Sequence, residues 1–464
     1  MSDIKTEQTQ TALQSQPLHI EMPKGVEKVL FTLTDAGFEA YLVGGCVRDS
    51  LNGVKPHDYD ITSSATPDQV MTLFSKCVPT GIAHGTVTVI EDGELVEVTT
   101  MRKEGAYVDH RHPESVEYTD EICEDLKRRD FTVNAMAWNP KSGLVDPFGG
   151  QEDLKNKIIR AVGDPAVRFE EDALRMFRAW RFAARLHARI DAATMKAIDE
   201  KSGLSSTLAA ERVVPEMEEI LAKGPHCLSH MVDLLAPWIP PLPDMERAEQ
   251  NTPYHYASVI GHTMDALWYL PIKTPVTLWA ALLHDCGKPA VRVTDENGRD
   301  HFKGHEKMSQ KLSGDILAKL KLPTRVQSEI KMLICDHDTF FKPNLESLYE
   351  LRVAKGYTDD QIQDLFALQQ ADILAHATLD RQILLDNFRA FYEQEKNRHP
   401  LSLKELKING NDVAERTSLQ GKDRRTALQE VLHAVIVSGQ LDTREGQLAC
   451  LDECAARIEN TKKN

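Results

Sequence analysis

Asp58 and Asp60 stand two residues apart in His57-Asp58-Tyr59-Asp60-Ile61-Thr62. On an extended strand that spacing points both carboxylates to one face. Two carboxylates held so close repel each other unless a divalent cation lies between them, the donor set of a two-metal phosphoryl-transfer site. Upstream, Gly44-Gly45 lets the backbone approach phosphate oxygens, and Arg48 follows in a first helical turn. Amide donors, a helix start and a guanidinium together make an anion cradle. A D-x-D alone also fits a solvated strand end or an Asx turn, but its company with G-G-x-x-R-D just upstream favours the site. Glu97, with Val96 and Val98 facing the other way, is either a third carboxylate on that face or an exposed strand glutamate. Asp130 directly follows Arg128 and Arg129 and is a candidate ion-pair partner for them.

A second group lies in Phe169–Phe182 (FEEDALRMFRAWRF), where Glu171, Asp172, Arg175, Arg178 and Arg181 fall at helical spacings. Asp172 and Arg175, three apart, are expected as neighbours on one helix face. A carboxylate accepting from the exocyclic amine of C or A, beside a guanidinium donating to a ring acceptor, reads a Watson–Crick edge. By periodicity alone, an ion pair on a solvated face is the simpler reading.

The third group is ordered His262, His284-Asp285, His305, His337, Asp372, with His255 ahead of it. His284-Asp285 sits in the apolar segment LWAALLHDCGKP, where adjacent His and Asp cannot both face a core without polar partners. Neutral imidazoles plus carboxylates suit a divalent first-row metal.

These residues need positioning elements. Ala40–Val43 and Tyr59–Thr62 read as short strands, and Thr66-Pro67 opens a helix reaching about Ser75. Gly85–Glu91 and Glu94–Met101 alternate at period two around Asp92-Gly93, a hairpin signal. From about Asp153 the pattern is helical to the C-terminus, and Pro237–Pro243 (PWIPPLP) reads as a linker. A further boundary is expected between Asp380 and Leu401. The expected fold is α+β, a β-sheet head followed by helical modules.

The whole sequence has 464 residues, 55 Lys+Arg against 71 Asp+Glu, and a formal charge of −16. That balance argues against a protein that coats nucleic acid non-specifically, although it allows a local basic track. No apolar run approaches membrane-span length, so no membrane is expected. The polar first residues do not resemble a secretory signal, and the eight scattered cysteines suit reduced thiols in a cytoplasmic setting.

The stretch Leu42–Thr62 resembles the class II nucleotidyltransferases, the bacterial tRNA CCA-adding enzymes and their poly(A) polymerase relatives. Thr99–Arg102, Tyr107–Arg111, Arg128–Ala135, Asp146–Gly150 and Glu171–Arg175 follow in that family's order. The resemblance implies a polymerase-beta-like head, with Asp58 and Asp60 holding Mg2+ and Glu97 a weaker candidate beside them. It implies Gly45, Arg48 and Arg129 at the triphosphate, and Glu171, Asp172, Arg175, Arg178 and Arg181 as a protein template for CTP and ATP. Thr80–Val87, in place of a basic segment, and the loop Arg102–Val116 are similar to the branch that adds the full CCA to the tRNA acceptor arm. A poly(A) polymerase, an A-adding specialist and a non-catalytic RNA-binding protein are the alternatives. The His/Asp series resembles the HD phosphohydrolase superfamily. There His262, His284, Asp285 and Asp372 would bind one metal, His305 and His337 would complete a second or bind phosphate, and Lys288 would contact phosphate. The implied organisation is a flexible tail over 1–20, a catalytic head over 21–152, a neck and body over 153–240, an HD domain over 241–380 and a helical tRNA-binding tail over 381–464. No protein partner is implied.

Overall fold

An apolar run as short as Ala40–Val43 suits a central strand, and all four of its residues are buried. The computed structural model describes residues 20–82, 85–104, 116–438 and 442–463. The described residues form two compact units, divided between Gly224 and Pro225.

In the first unit, helix α1 (Lys24–Asp35) precedes β1 (Ala40–Val43), which passes through Gly44 into α2 (Gly45–Leu51). Then come β2 (Asp60–Ser63), α3 (Pro67–Leu73), β3 (Cys77–Gly81), β4 (Thr86–Glu91) and β5 (Glu94–Thr100). Among the described residues β6 (Arg102–Glu104) pairs with β7 (Val116–Tyr118) in a separate two-stranded sheet, and α4 (Ile122–Lys127) follows. β8 (Ala137–Asn139) and β9 (Gly143–Val145) complete a seven-stranded sheet of order β3-β4-β5-β2-β1-β8-β9. Its β2 and β5 are parallel and its other neighbours antiparallel. The expected hairpin is present: Asp92 and Gly93 have φ of 49° and 86°, the left-handed pair that a two-residue turn requires.

Helices α5 (Gly150–Lys155), α6 (Pro165–Glu171), α7 (Leu174–Leu186), α8 (Ala192–Lys201) and α9 (Ala210–Lys223) follow the sheet. The short parallel pair β10 (Ile158–Ile159) and β11 (Arg189–Ile190) interrupts them, and two-residue strands are too short to show a period. Ile20, which the sequence placed in a flexible tail, is buried.

The second unit begins with α10 (Val232–Leu235) and α11 (Leu242–Arg247). Pro237–Pro243 between them is not an exposed linker, because Trp238, Ile239 and Leu242 are buried. Its apolar residues alternate with the prolines and anchor the turn. Next are α12 (Val259–Tyr269), α13 (Pro275–Leu283), α14 (Lys288–Val291) and the pair β12 (Val293–Thr294) and β13 (Asp300–His301). The helices α15 (His305–Lys319), α16 (Thr324–Asp336), α17 (Leu345–Tyr349), α18 (Asp359–Leu374) and α19 (Gln382–Glu395) follow. α13 is buried all round from Thr277 to Leu283, as its unbroken apolar sequence requires. Finally α20 (Gly410–Arg416), α21 (Lys422–Ser438) and α22 (Arg444–Lys463) enclose a core of Val413, Leu428, Val431, Val435 and Leu451, against which Leu345 and Tyr349 pack. No described helix is long and apolar enough to cross a membrane.

Candidate active sites

The first site is built where β1 and β2 lie side by side. Asp60 opens β2 and pairs in register with Glu97 of the parallel strand β5. Buried Tyr59 separates exposed Asp60 from exposed Asp58, and buried Val96 and Val98 flank exposed Glu97, so the alternation read from sequence holds. Although the residue reaches solvent, the protein packed around the Asp60 carboxyl desolvates it, and this, then the Glu97 charge, raises it above its ordinary range; Arg129 opposes the rise and Asp58 adds to it. Asp58 itself precedes the strand and meets the His57 ring at 2.8 Å. The three carboxylates do not converge within 4.8 Å, unlike the clusters of the second unit described below. Mutually repelling acceptors on an open face nevertheless match the donor set of a hard divalent cation.

Beside them an open cavity of about 470 Å³ is walled by arginines. Gly44 has φ 74°, a conformation that favours glycine, and a Cβ there would stand 3.1 Å from the Arg129 guanidinium, which would have to shift. Gly45 begins α2, and Arg48 three residues later is buried. Arg48 donates to Asn134 Oδ1 at 2.5 Å and pairs with Asp49 at 2.7 Å. Asn134 in turn donates to Asp130 Oδ1 at 3.1 Å, and Asp130 Oδ2 holds Arg178 at 2.6 Å. Burial alone would raise the Asp130 carboxyl, but Arg178 and Asn134 outweigh it and hold it at about 2. Asp130 is therefore not the partner of Arg128 and Arg129. Buried Asp125 of α4 takes that role, at 2.8 and 3.3 Å.

The Glu171–Arg181 segment differs from its expected geometry. α6 ends at Glu171, and Asp172 is extended at φ −145°. Asp172 and Arg175 thus do not share one helix face. Asp172 Oδ1 accepts from the Leu174 N–H at 3.1 Å, which starts a new helix, and Oδ2 pairs with Arg212 of α9 at 2.8 Å. Such a carboxylate competes for helix amides, which is why an Asp here breaks the run. Arg175 is held by Glu171 at 2.6 Å and by the Arg128 carbonyl at 3.1 Å. Arg181 pairs with Glu216 at 2.5 Å. Arg212 and Glu216 were missed by the sequence reading, although their four-residue spacing marks one helix face.

The second site lies in the second unit, and its centre is Asp285. Four imidazole Nε2 atoms approach its two oxygens: His284 at 3.2 Å and His262 at 3.5 Å on Oδ2, His305 at 3.3 Å and His337 at 3.8 Å on Oδ1. Lys288 Nζ reaches Oδ2 at 2.6 Å, and Asp372 Oδ1 meets His262 at 2.9 Å. All six residues named by the HD resemblance, with Lys288, are thus gathered from separate helices. The Nδ1 atoms of His262, His284, His305 and His337 each face a backbone carbonyl, at 3.3, 2.7, 3.0 and 2.7 Å. A carbonyl only accepts, so each Nδ1 carries the proton and Nε2 is turned inward. Nε2 of His262 stands 3.4 Å from that of His284, and Nε2 of His305 3.2 Å from that of His337. Both oxygens of Asp285 are buried without a well-formed hydrogen bond. Inward-facing Nε2 atoms around a buried carboxylate that pairs with Lys288 fit the donor set of a divalent cation.

Burial would lower His284, yet the Asp285 and Asp372 charges carry it up to about 10, so its Nε2 binds a cation only by giving up a proton, while His337 is pushed down to about 4 by burial and by the His284 charge. His376, one turn beyond Asp372, was also missed: its ring lies 5.0 Å from His262 and its Nδ1 meets the Asp372 carbonyl at 2.7 Å. The centre opens into a cavity of about 810 Å³. Of the remaining expected segments, Tyr107–Arg111 lies outside the described residues, as do most of the 102–116 loop and Ala83 and His84 of the 80–87 segment.

The family model of the Poly A polymerase head domain matches residues 40–160, and that of the HD domain matches residues 254–377. The chain carries a poly(A) polymerase head domain and an HD domain. Beyond these domains, a CCA-adding enzyme of Lactobacillus helveticus is 52% identical over 198 residues, covering 43% of this chain and 49% of its own. One of Pediococcus pentosaceus is 51% identical over 193 residues, 42% of this chain and 49% of its own. The match therefore spans about half the length of these curated relatives. The Bacillus stearothermophilus CCA-adding enzyme in complex with CTP superposes with TM-score 0.72 at 27% identity, over 95% of this chain and 100% of its own. The Thermotoga maritima CCA-adding enzyme complexed with tRNA, at TM-score 0.58 and 21% identity over 93% of this chain and 94% of its own, shares the fold. The poly(A) polymerase head thus includes the carboxylates on β2 and β5 and Arg48, while the HD domain includes the whole Asp285 centre.

Proposed function

We propose that the chain adds or repairs the 3′-terminal CCA of tRNA, taking CTP and ATP and releasing pyrophosphate. The observation that carries this reading is the unbroken chain Arg48–Asn134–Asp130–Arg178, which runs from a phosphate cradle beside Asp60 along the cavity that Asp172, Arg175 and Arg212 also line. The similarity to CCA-adding enzymes, one of them in complex with CTP, supports the same reading.

Asp58, Asp60 and Glu97 would hold Mg2+, which when bound supplies positive charge to the triphosphate and the attacking hydroxyl. Gly44-Gly45 admits the triphosphate, and Arg48 and Arg129 neutralise it. The 3′-hydroxyl of the tRNA then attacks the α-phosphorus, loses its proton as the new P–O bond forms, and the bond to the β-phosphate oxygen breaks. Asp172 accepts from the base's exocyclic amine and Arg175 donates to its ring acceptor. A base lacking that amine would forgo a charge-assisted hydrogen bond to Asp172, costing roughly 1.5–3 kcal/mol. Replacing Asp60 by Asn is expected to lower nucleotide addition by at least about 1,000-fold with the unfolding midpoint unchanged. Retained addition would remove this mechanism.

The Asp285 centre supports a second activity, hydrolysis of phosphate esters. His262, His284, Asp285 and Asp372 would hold one divalent metal, which when bound supplies an activated water, and His305 and His337 face the other oxygen of Asp285. Lys288 is placed to meet a phosphate oxygen. Asp372→Ala is expected to lower bound metal, measured by elemental analysis, and to abolish phosphatase activity while nucleotide addition is retained. Loss of both activities together would instead mark a structural metal.

A further inference from the structure

Three guanidinium groups of the arginine-walled cavity surround one aromatic ring. Phe182 of α7 is buried, and the guanidinium carbons of Arg181, Arg48 and Arg178 lie 4.3, 5.2 and 5.4 Å from its ring centre. All three are within the range of about 6 Å over which a ring attracts a cation. Phe131 packs its ring edge to face at 5.9 Å and 75°, which fixes the orientation of Phe182. Arg48 comes from α2, beside the carboxylates, whereas Arg178 and Arg181 come from α7, beside Asp172 and Arg175. The ring therefore touches the charges at both ends of the cavity.

Like-charged guanidiniums packed this closely repel. Asp49, Asp130 and Glu216 offset the repulsion through their edges, Asp49 at Arg48, Asp130 at Arg178, and Glu216 at Arg181 with a longer 3.9 Å contact to Arg178. Phe182 meets all three at once with a surface that is negative on its face and makes no hydrogen bond. It thus holds the guanidiniums close while leaving their remaining N–H groups for a ligand. Leucine or methionine would fill much of the same volume without the ring quadrupole.

We propose that Phe182 is a positioning residue for nucleotide selection, its ring holding the triphosphate arginine Arg48 and the base-side arginines Arg178 and Arg181 in one arrangement. The proposal rests on the reading of this cavity as the nucleoside triphosphate site. It assigns Phe182 no contact with the substrate. Its effect falls on nucleotide affinity and on the choice of base, and leaves the tRNA contribution to the rate unchanged.

The test compares Phe182→Leu and Phe182→Met with Phe182→Tyr and Phe182→Trp in the full chain. Calorimetric binding of CTP and ATP to the unaltered protein comes first; no binding there would remove the nucleotide-site reading itself, whatever Phe182 does. With binding established, Leu and Met are expected to raise the KM for CTP and ATP about tenfold, with kcat and the KM for tRNA little changed. They are also expected to raise incorporation of UTP and GTP relative to CTP and ATP. Tyr and Trp are expected to restore both quantities. Unchanged nucleotide KM and base choice in Leu and Met would overturn the proposal. So would Tyr and Trp variants as impaired as Leu, because the ring would then be filling space only. If Leu unfolds, Met supplies the non-aromatic arm, and direct CTP affinity in each folded variant gives the same comparison without tRNA.

Discussion

Asp130 links two sides of the arginine-walled cavity, accepting from Asn134 on one oxygen and from Arg178 on the other. Its carboxyl is held at about 2 against an ordinary 3.8, so the pair stabilises the fold fully above pH 3.8 and the contribution disappears as pH falls toward 2. Asp130→Asn is expected to be less stable by roughly 2–3 kcal/mol at neutral pH and to lose less stability than the unaltered protein between pH 4 and 2. Urea unfolding across that range checks it; parallel pH profiles would show that Arg178 does not depend on the Asp130 charge. At this scale the sequence indicated where candidate side chains lie better than which residues they meet. The placement of Asp60, Glu97 and Arg48 was legible because strand alternation and a glycine turn leave a local signature, although Asp58 precedes the strand. Arg212 and Glu216 were not legible as partners, since an ion pair between separate helices leaves no joint periodicity, whereas Asp125 stands three and four residues ahead of Arg128 and Arg129, a local spacing that was passed over. His376 had a local signature, four residues beyond Asp372, that counting the HD series alone passed over.

β1, β2 and the β4–β5 hairpin were legible from apolar runs and from Asp92-Gly93, and these are the elements that align Asp60 with Glu97. Two elements went otherwise for identifiable reasons. Phe169–Phe182 reads as one helix by propensity, but Asp172 takes the Leu174 amide and splits it into α6 and α7. Pro237–Pro243 reads as a linker by composition, but Trp238, Ile239 and Leu242 are buried. If that turn is part of the core, Ile239→Ala is expected to cost about 2–5 kcal/mol in chemical denaturation. A loss below about 0.5 kcal/mol, typical of exposed positions, would restore the linker.

For the whole molecule, the charge of −16 conceals a local inversion. Arg48, Arg129, Arg175, Arg178, Arg181, Arg185 and Arg212 line the same cavity as Asp60, Asp130 and Asp172. Net charge thus informed on indiscriminate binding and said little about substrate. The order of motifs made both domains legible, whereas the division at Gly224 was not, because packing rather than composition sets it. The central claim, template-free addition of C, C and A, is tested most directly by sequencing the 3′ ends of a tRNA transcript that stops at the nucleotide before CCA. Incubated with CTP and ATP, it should end in CCA; with CTP alone, extension should stop after two C residues. Failure to add C to that transcript, with A added only to one already ending in CC, would contradict the account in favour of an A-adding specialist. A run of A residues would contradict it in favour of a poly(A) polymerase.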